Sequence, residues 1–235
     1  MKILLGLILC FTFQVIFLES SFALVDSNVR EFLENRVNQW PELYLPNFKL
    51  SDTSKDLIYP KWFEGNWLVT SQDIVNDSQE PVIYKVNFFK NDSDLIVGSR
   101  AKNSESIGKA IFGDILIKVV NDPQSINSQI TYLKDDFYID SRITGRNQIK
   151  DDDIFFADEL VIQTAHKPGA SRINQVETIS KFQKCSEEIL EVNNSIKPSI
   201  CGVQYVASYG SKVGDPSIHA IKTNKYKLTF ESIEN

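Results

Sequence analysis

The sequence predicts a mainly β fold: an antiparallel up-and-down β-barrel with one short inserted helix and an N-terminal helical arm. Runs rich in Val, Ile, Phe and Tyr recur between turn residues such as those at 91–94 and 121–123, which is typical of antiparallel strands. Hydrophobic residues make up 42% of the 235-residue chain, enough to fill a core. No repeat with a period of roughly 20–50 residues is present, which excludes solenoids and propellers. Closure into a barrel is favoured because it leaves no exposed strand edge.

Residues 1–23 have the pattern of a secretory signal peptide. Lys2 precedes a nearly continuous apolar run at 3–18, and Ser21-Phe22-Ala23 places small residues at both positions that specify cleavage. The apolar run is shorter than the ~20 residues that a membrane span needs. We therefore expect cleavage after Ala23, with a retained N-terminal anchor as the alternative.

Charge limits the classes of partner. The formal net charge is −6, and removal of the leader leaves it unchanged because Lys2 and Glu19 cancel. A mildly acidic chain is a poor match for nucleic acid or for an anionic membrane surface. The remaining length suits a helical arm and connector at 24–55, followed by one β-barrel domain at 56–235.

The arm begins with a predicted helix from Asn28 to Trp40. Its apolar residues fall on one face at helical spacing, namely Val29, Phe32, Leu33, Val37 and Trp40. Asn28 and Glu31 match a capping box, and Pro41 ends the helix. The apolar face either docks on a partner or packs on the chain's own domain.

The domain begins with an aromatic block at 59–67. Pro60 favours an extended Tyr59, and the residues from Trp67 onward favour a strand. If the block is extended, Phe63, Gly65 and Trp67 share one face because strand side chains alternate. Trp67 is then buried at one end of the barrel. We expect a structural motif formed by Tyr59, Pro60, Trp62, Gly65 and Trp67.

The strands follow from alternation and from the turns between them. We predict strand segments at 67–73, 81–90, 95–100, 115–120, 129–133, 136–146, 154–156, 159–166, 172–185, 200–209 and 226–233. Residues 101–112 interrupt this rhythm with a short helix, which Gly113 ends.

Two cysteines remain after the leader, Cys185 and Cys201. A hairpin formed by the strands at 172–185 and 200–209 brings them close together. In an oxidising compartment such a pair forms a disulfide; two free buried thiols are the alternative.

The sequence contains no recognisable catalytic or metal-binding pattern. His166 and His219 have no ligand partners at metal-site spacing. Asp151, Asp152 and Asp153 lack the spacing of a calcium loop and indicate a solvated turn. No catalytic residue, metal or cofactor is therefore predicted.

The tripeptide Gly65-Asn66-Trp67 resembles the opening signature of the lipocalins and related calycin barrels. The resemblance implies a barrel that binds a small apolar or amphipathic ligand. Lipocalins place an arginine near the last strand, across the tryptophan. The segment at 226–230 has none, so Lys227 is the candidate to lie over the ring.

A wider resemblance covers roughly residues 40–210. The blocks are Trp40-Pro41, Asp56 to Trp67, Gly98-Ser99-Arg100-Ala101-Lys102-Asn103 and Val203-Gln204-Tyr205. Together they are similar to an uncharacterised family of exported cyanobacterial and plastid proteins. Arg100 and Asn103 match the family pattern, whereas Ser99 replaces its acidic residue. The resemblance implies the periplasm or the thylakoid lumen.

The candidate ligand-binding residues are Arg100, Asn103, Tyr132, Gln204 and Tyr205. Arg100 ends a strand before the helix, where it either holds an anionic head group or forms a structural salt bridge. The aromatic strand residues either line a cavity or fill the core.

Three functional hypotheses follow. The first is an exported lipocalin-like protein that binds a lipid or pigment, without catalysis. The second is an accessory or assembly protein of a photosynthetic membrane complex that binds no ligand. The third is an enzyme of unrecognised type that uses Arg100 and buried carboxylates such as Glu177. The sequence leaves the ligand's identity open.

Overall fold

The computed structural model describes residues 27–48, 55–76, 78–186, 199–211 and 218–233. The predicted signal peptide at 1–23 lies outside these residues. The helices are α1 at 27–39 and α2 at Arg100–Phe112. The strands are β1 Gly65–Asp73, β2 Val82–Lys90, β3 Ile96–Gly98, β4 Leu116–Asp122, β5 Ser125–Leu133, β6 Tyr138–Lys150, β7 Ile154–Lys167, β8 Ala170–Lys184, β9 Ile200–Ser208 and β10 Lys222–Ser232.

The ten strands form one antiparallel sheet in the order β3-β2-β1-β10-β9-β8-β7-β6-β5-β4. Chain neighbours are sheet neighbours except at β3 and β4, and β10 pairs with β1. This is the connectivity of an up-and-down barrel opened between β3 and β4. The predicted mainly β, antiparallel, lipocalin-like fold is confirmed.

Phe63 shows how strongly the sheet curls. Its ring lies 5.0 Å from Phe88 on β2, 5.8 Å from Phe230 on β10, 5.7 Å from Phe182 on β8 and 5.6 Å from Phe155 on β7. These strands are spread across the sheet order, so one ring contacts them all only because the sheet wraps around it.

Helix α2 packs between β2, beyond the end of the short strand β3, and the edge strand β4. Ser106 Oγ accepts a hydrogen bond from Lys85 N on β2 at 3.0 Å. On the other side, Glu105 Oε2 accepts one from Val119 N on β4 at 3.5 Å. These side chains bond to backbone N–H groups of β2 and β4 at positions where no neighbouring strand pairs with them.

The block at 59–67 buries Trp67 as predicted, and Tyr59 is extended and pairs with Ile96, but residues 61–63 are not extended. Pro60 precedes a 3-10 turn at Lys61–Phe63, and Gly65 has a φ of 129°. The turn directs Phe63 into the core, and Trp67 Nε1 donates a hydrogen bond to Phe63 O at 2.8 Å. A shared strand face for Phe63 and Trp67 was wrong, because the turn breaks the alternation.

The N-terminal arm covers the outer face of the sheet. Apolar residues of α1 and of the segment at 41–48 pack on Phe156, Leu160, Ile179 and Ala207, forming a second core outside the barrel. The arm therefore packs on its own domain. None of the described helices has the length and apolar character needed to cross a membrane.

Two further positions complete the comparison with the sequence. Cys185 and Cys201 form a disulfide between the end of β8 and β9. Lys227 lines an outer groove with Gln183 and Cys201, while its neighbour Leu228 is in the inner core. The expectation that Lys227 covers Trp67 was wrong, because alternation on β10 turns it outward.

Candidate ligand site between α2 and the sheet

Two adjoining cavities lie between α2 and the inner face of the sheet. An inner lobe has a volume of about 170 Å³ and an outer lobe about 280 Å³. The lobes share the lining residues Leu57, Tyr59, Asn103, Ile107 and Glu159. They form one site with two chemically distinct ends.

The inner lobe is mainly aromatic. Its rings come from β2, β7, β8 and β10 and from the segment at 59–63, and they are Tyr59, Phe63, Tyr84, Phe88, Phe155, Phe182 and Phe230. The Tyr59 and Phe88 rings are 4.6 Å apart, in edge-to-face contact. Rigid apolar walls of this kind suit a hydrocarbon or ring system.

Uncharged polar side chains from β8 and β9 line the opposite wall of the inner lobe. Thr178, Ser180 and Gln204 lie there, and Gln204 Nε2 donates to Ser180 Oγ at 3.0 Å. Burial raises the pKa of Tyr84 to about 12, although a hydrogen bond with Ser71 opposes the shift. These groups remain neutral at physiological pH.

The outer lobe carries charged side chains that are paired. Arg146 Nε donates to Glu159 Oε1 at 2.7 Å, and Arg100 Nη1 lies 3.5 Å from Asp56 Oδ1. Asn127 Oδ1 joins the pairs, since it accepts from Arg100 at 3.0 Å and from Arg146 at 2.8 Å. The side chains are largely buried: Asp56 is 15% exposed, Arg100 17%, Arg146 6% and Glu159 23%.

Tyr59 lies where the two lobes meet. Burial is the largest cause that raises its pKa, and the charges of Glu159 and Asp56 raise it further. Arg146 and Arg100 oppose this effect. The Tyr59 phenol therefore stays neutral among all four charges and supplies a hydrogen-bonding group beside the aromatic lobe.

Asn103 holds α2 against the edge of β2. Its Oδ1 accepts from Asn87 N at 2.8 Å, and its Nδ2 donates to Asn87 O at 3.0 Å. The amide thus takes the place of a strand partner where β3 has ended. A Cβ added at Gly98 would lie 3.4 Å from Asn103 Nδ2, so a small residue at position 98 leaves room for the Asn103 side chain.

The structure brings three of the predicted ligand residues to the site. Arg100 and Asn103 line the outer lobe, and Gln204 lines the inner lobe. Tyr132 lies elsewhere, under Lys118 Nζ at 5.1 Å from its ring centroid. Tyr205 packs on Trp40 of the arm, with ring centroids 5.8 Å apart.

Sequence reasoning missed four lining or bridging residues, namely Asp56, Asn127, Arg146 and Glu159. Asp56 begins the block from Asp56 to Trp67 that resembles the uncharacterised family, so the sequence offered a reason to consider it. For Arg146 the signal was absent, because a register shift between Ile143 and Gly145 in β6 changes which face it occupies.

A second buried polar cluster lies beneath the arm, on the outer face of the sheet. Arg36 of α1 pairs there with Glu177 of β8, and Tyr209 hydroxyl donates to the same carboxylate. Arg100 lines the outer lobe of the cavity, on the inner face of the sheet. Glu177 lies beside the core on the outer face of the sheet. The two residues named for an enzyme are thus on opposite faces and cannot act on one substrate.

Both histidines lie against tyrosine rings. His166 stacks on Tyr138 at 4.4 Å, with its Nδ1 3.0 Å from Ser171 Oγ. His219 lies against Tyr44, with ring centroids 3.9 Å apart. Within the described part of the chain, no group of three or more His, Cys, Asp or Glu residues could hold a metal ion.

The family described as a domain of unknown function, DUF6816, matches residues 71–233. The chain belongs to the DUF6816 family. The DUF6816 region begins within β1 and ends just after β10, so it contains both edge strands and α2. No curated protein and no solved structure matches the chain.

The DUF6816 match agrees with the expectation of an uncharacterised domain family. It starts after the aromatic block at 59–67, so that block supplies Tyr59 and Phe63 to the site from outside the matched region. In this DUF6816 chain the inner lobe is therefore completed by a segment that precedes the family domain.

Proposed function

We propose that this DUF6816 protein is an exported, non-enzymatic binding protein that holds a small amphipathic molecule, a lipid or a pigment, between α2 and the sheet. The observation that carries the proposal is the two-ended cavity: an aromatic inner lobe continues into a polar outer lobe. An amphipathic molecule has the same division into an apolar body and a polar head.

The cavity size fits a small ligand. Binding cavities for small molecules typically enclose about 300–1,000 Å³, and the two lobes measure about 170 and 280 Å³. Phe63 occupies the centre of the barrel, so the site is narrower than an empty barrel. A single acyl chain or a compact ring system matches this space better than a multi-chain lipid.

Helix α2 offers a route of access to the cavity. It contacts β2 through side chains, including Asn103 and Ser106, whereas neighbouring strands are joined by continuous backbone ladders. Moving α2 therefore breaks fewer hydrogen bonds than separating two strands. We expect a ligand to enter beneath this helix.

The proposed location rests on the leader and the disulfide. Residues 1–23 have a signal-peptide pattern, and the Cys185–Cys201 bond is the kind that persists in oxidising compartments. Together they support export to the periplasm or the thylakoid lumen.

The test is a binding titration of the full chain with the fluorescent apolar probe N-phenyl-1-naphthylamine. Ala157 lies on β7 in the inner lobe, and Ala157→Leu fills that lobe, so we expect at least tenfold weaker binding. Ala165→Leu adds the same volume on the same strand, at a half-buried position outside the cavity lining. It should bind the probe like the unmodified chain.

Native mass spectrometry of protein purified from its source without detergent provides an independent test. A bound small molecule that is reduced in Ala157→Leu supports the proposal. Equal probe binding by the unmodified chain and Ala157→Leu, with no co-purified molecule, would refute it.

Docking on a photosynthetic membrane complex is the second candidate. It is favoured by exposed apolar side chains near the end of α2, namely Ile111, Phe112, Ile115 and Ile117, since such clusters mark protein contacts. An affinity pull-down from source membranes that recovers photosynthetic subunits, and loses them with Ile115→Ser and Ile117→Ser, supports docking. Recovery of no such subunit counts against it.

A further inference from the structure

We infer that the cavity selects a ligand with an uncharged polar head, such as an alcohol, a ketone or an ester, over one with a carboxylate or phosphate. The inference rests on the proposed function, because it specifies the ligand class for the same cavity. It comes from how the charges of the outer lobe are paired.

The four charges at the outer lobe sum to zero and are matched locally. Arg146 lies against Glu159, and Arg100 lies beside Asp56. Asn127 binds both guanidinium groups through one oxygen. Neither arginine is therefore a free cation that waits for an anionic ligand.

An anionic head would have to compete with these internal carboxylates. It would enter a largely buried space in which Asp56 and Glu159 repel it, while both arginines already have partners. Burying a charge without a dedicated partner is unfavourable, because the lost hydration is not replaced. An uncharged head avoids this cost and can still exchange hydrogen bonds.

Neutral hydrogen-bonding groups continue from the outer lobe towards the aromatic end. Tyr59 lines both lobes, and Thr178, Ser180 and Gln204 line the inner one. Hydroxyl and amide side chains can donate to or accept from a carbonyl or hydroxyl group. Their position suits polar atoms along the ligand as well as at its head.

The experiment compares two competitors with the same chain length, 1-decanol and decanoate, at pH 8, where decanoate is ionised. Each displaces N-phenyl-1-naphthylamine from the full chain. We expect 1-decanol to displace the probe at a concentration at least tenfold below that required for decanoate. Because the chains are equally long, the ratio reports the head group, and the variants below separate the effect of the local charges from the general cost of desolvating a carboxylate.

The decisive variant is Asp56→Asn. It leaves an amide oxygen for the bond that Leu57 N donates to Asp56 Oδ1 at 2.8 Å, but it removes the charge beside Arg100. We expect decanoate to bind at least tenfold more tightly to this variant, with 1-decanol changed less than threefold. A cooperative urea transition verifies that the variant is folded.

Two further variants sharpen the comparison. Glu159→Gln should also favour decanoate, because it removes the charge partner of Arg146. Asp152→Asn makes the same change in net charge at an exposed loop residue, and it should leave both affinities unchanged.

The possible failures are distinguishable. If decanoate binds the unmodified chain as tightly as 1-decanol, or if Asp56→Asn leaves the ratio unchanged, the inference is overturned while the proposed function stands. If neither the probe nor either competitor binds, the proposed function fails and the inference fails with it.

Discussion

Arg36 and Glu177 form a bidentate pair across 141 positions of the chain. Arg36 Nε donates to Glu177 Oε1 at 2.8 Å, and Nη2 donates to Oε2 at 2.7 Å. Burial would lower the pKa of Arg36, but the hydrogen bond and charge of Glu177 raise it overall. This pair fastens α1 to the outer face of the sheet.

The first prediction concerns this pair. Arg36→Met should lower the free energy of unfolding by about 3–5 kcal/mol, because it leaves the Glu177 carboxylate buried without its cation. Urea denaturation of the full chain measures the loss. The control is Arg30→Met on the same helix, whose exposed pair with Asp151 spans 3.5 Å and is worth at most about 1 kcal/mol. Equal losses in the two variants would contradict the prediction.

Asp158 leads to a prediction about pH. Its carboxylate is fully buried, and no hydrogen-bond donor among the described residues reaches either oxygen, whereas the protonated acid hydrogen-bonds with the Glu177 carboxylate. Burial is the largest cause that raises the pKa of Asp158 well above 3.8, and the nearby Glu177 carboxylate adds to it while Arg36 opposes it. The folded state therefore favours the protonated acid.

A pKa raised by folding contributes stability that is present below the unfolded value and is lost as pH rises. The free energy of unfolding should therefore fall from pH 5 towards pH 8, with a limiting slope of about 1.4 kcal/mol per pH unit. Asp158→Asn stays neutral, so its curve should be flatter. Asp73 and Asp151 have lowered pKa values, and their contributions are complete above about pH 5. Parallel curves for the two proteins would exclude the effect.

The third prediction concerns the hydrogen bonds between Asn103 of α2 and the backbone of Asn87 on β2. Asn103→Ala removes the acceptor of the Asn87 N–H and one of the two donors to the Asn87 carbonyl, which keeps its bond from Ser99 N at 2.9 Å. The free energy of unfolding should fall by about 1–3 kcal/mol because the Asn87 N–H loses its partner. Hydrogen exchange at the Asn87 amide should accelerate at least tenfold. Lys102→Ala, at an exposed position next to it, is the control. An unchanged exchange rate in Asn103→Ala would show that the contact does not hold the helix.

Two glycines give a matched comparison of packing. A Cβ at Gly202 would lie 2.1 Å from Phe182 Cδ1 and 2.7 Å from the Lys181 carbonyl oxygen, and Gly202→Ala should cost about 1–3 kcal/mol. A Cβ at Gly108 in α2 would lie 2.9 Å from Leu116 Cδ2, a flexible methyl group. Alanine also favours the helix by about 1 kcal/mol, so Gly108→Ala should be nearly neutral. Urea midpoints test this order, and the reverse order would contradict it.

The disulfide supplies the fifth prediction. Cys185 and Cys201 are 16 positions apart, and a cross-link of this size stabilises by about 3 kcal/mol through the entropy of the unfolded chain. Dithiothreitol should lower the urea midpoint of the unmodified chain. The Cys185→Ser, Cys201→Ser double variant should start at the lower value and show no response to the reductant. A midpoint that dithiothreitol leaves unchanged would contradict this expectation.

Some site assignments were open to sequence reasoning and others were not. Gln204 and Tyr205 are adjacent on β9, so alternation alone allows only one of them to face the cavity; the structure places Gln204 there. Arg142 and Arg146 would share a face in a regular strand. The register shift between Ile143 and Gly145 places them on opposite faces of the sheet. Arg146 lines the outer lobe of the cavity on the inner face, and Arg142 lines a groove on the outer face.

The order of apolar and turn residues determined the β class, the strand positions and the burial of Trp67, because each depends on neighbours within a few residues. Tertiary structure alone decided that a helix would pack between β2 and β4, and that Asp56, Arg100, Arg146 and Glu159 would meet. The physical reason is that curl and register act between strands distant in sequence. Local periodicity carries no information about which distant side chains meet.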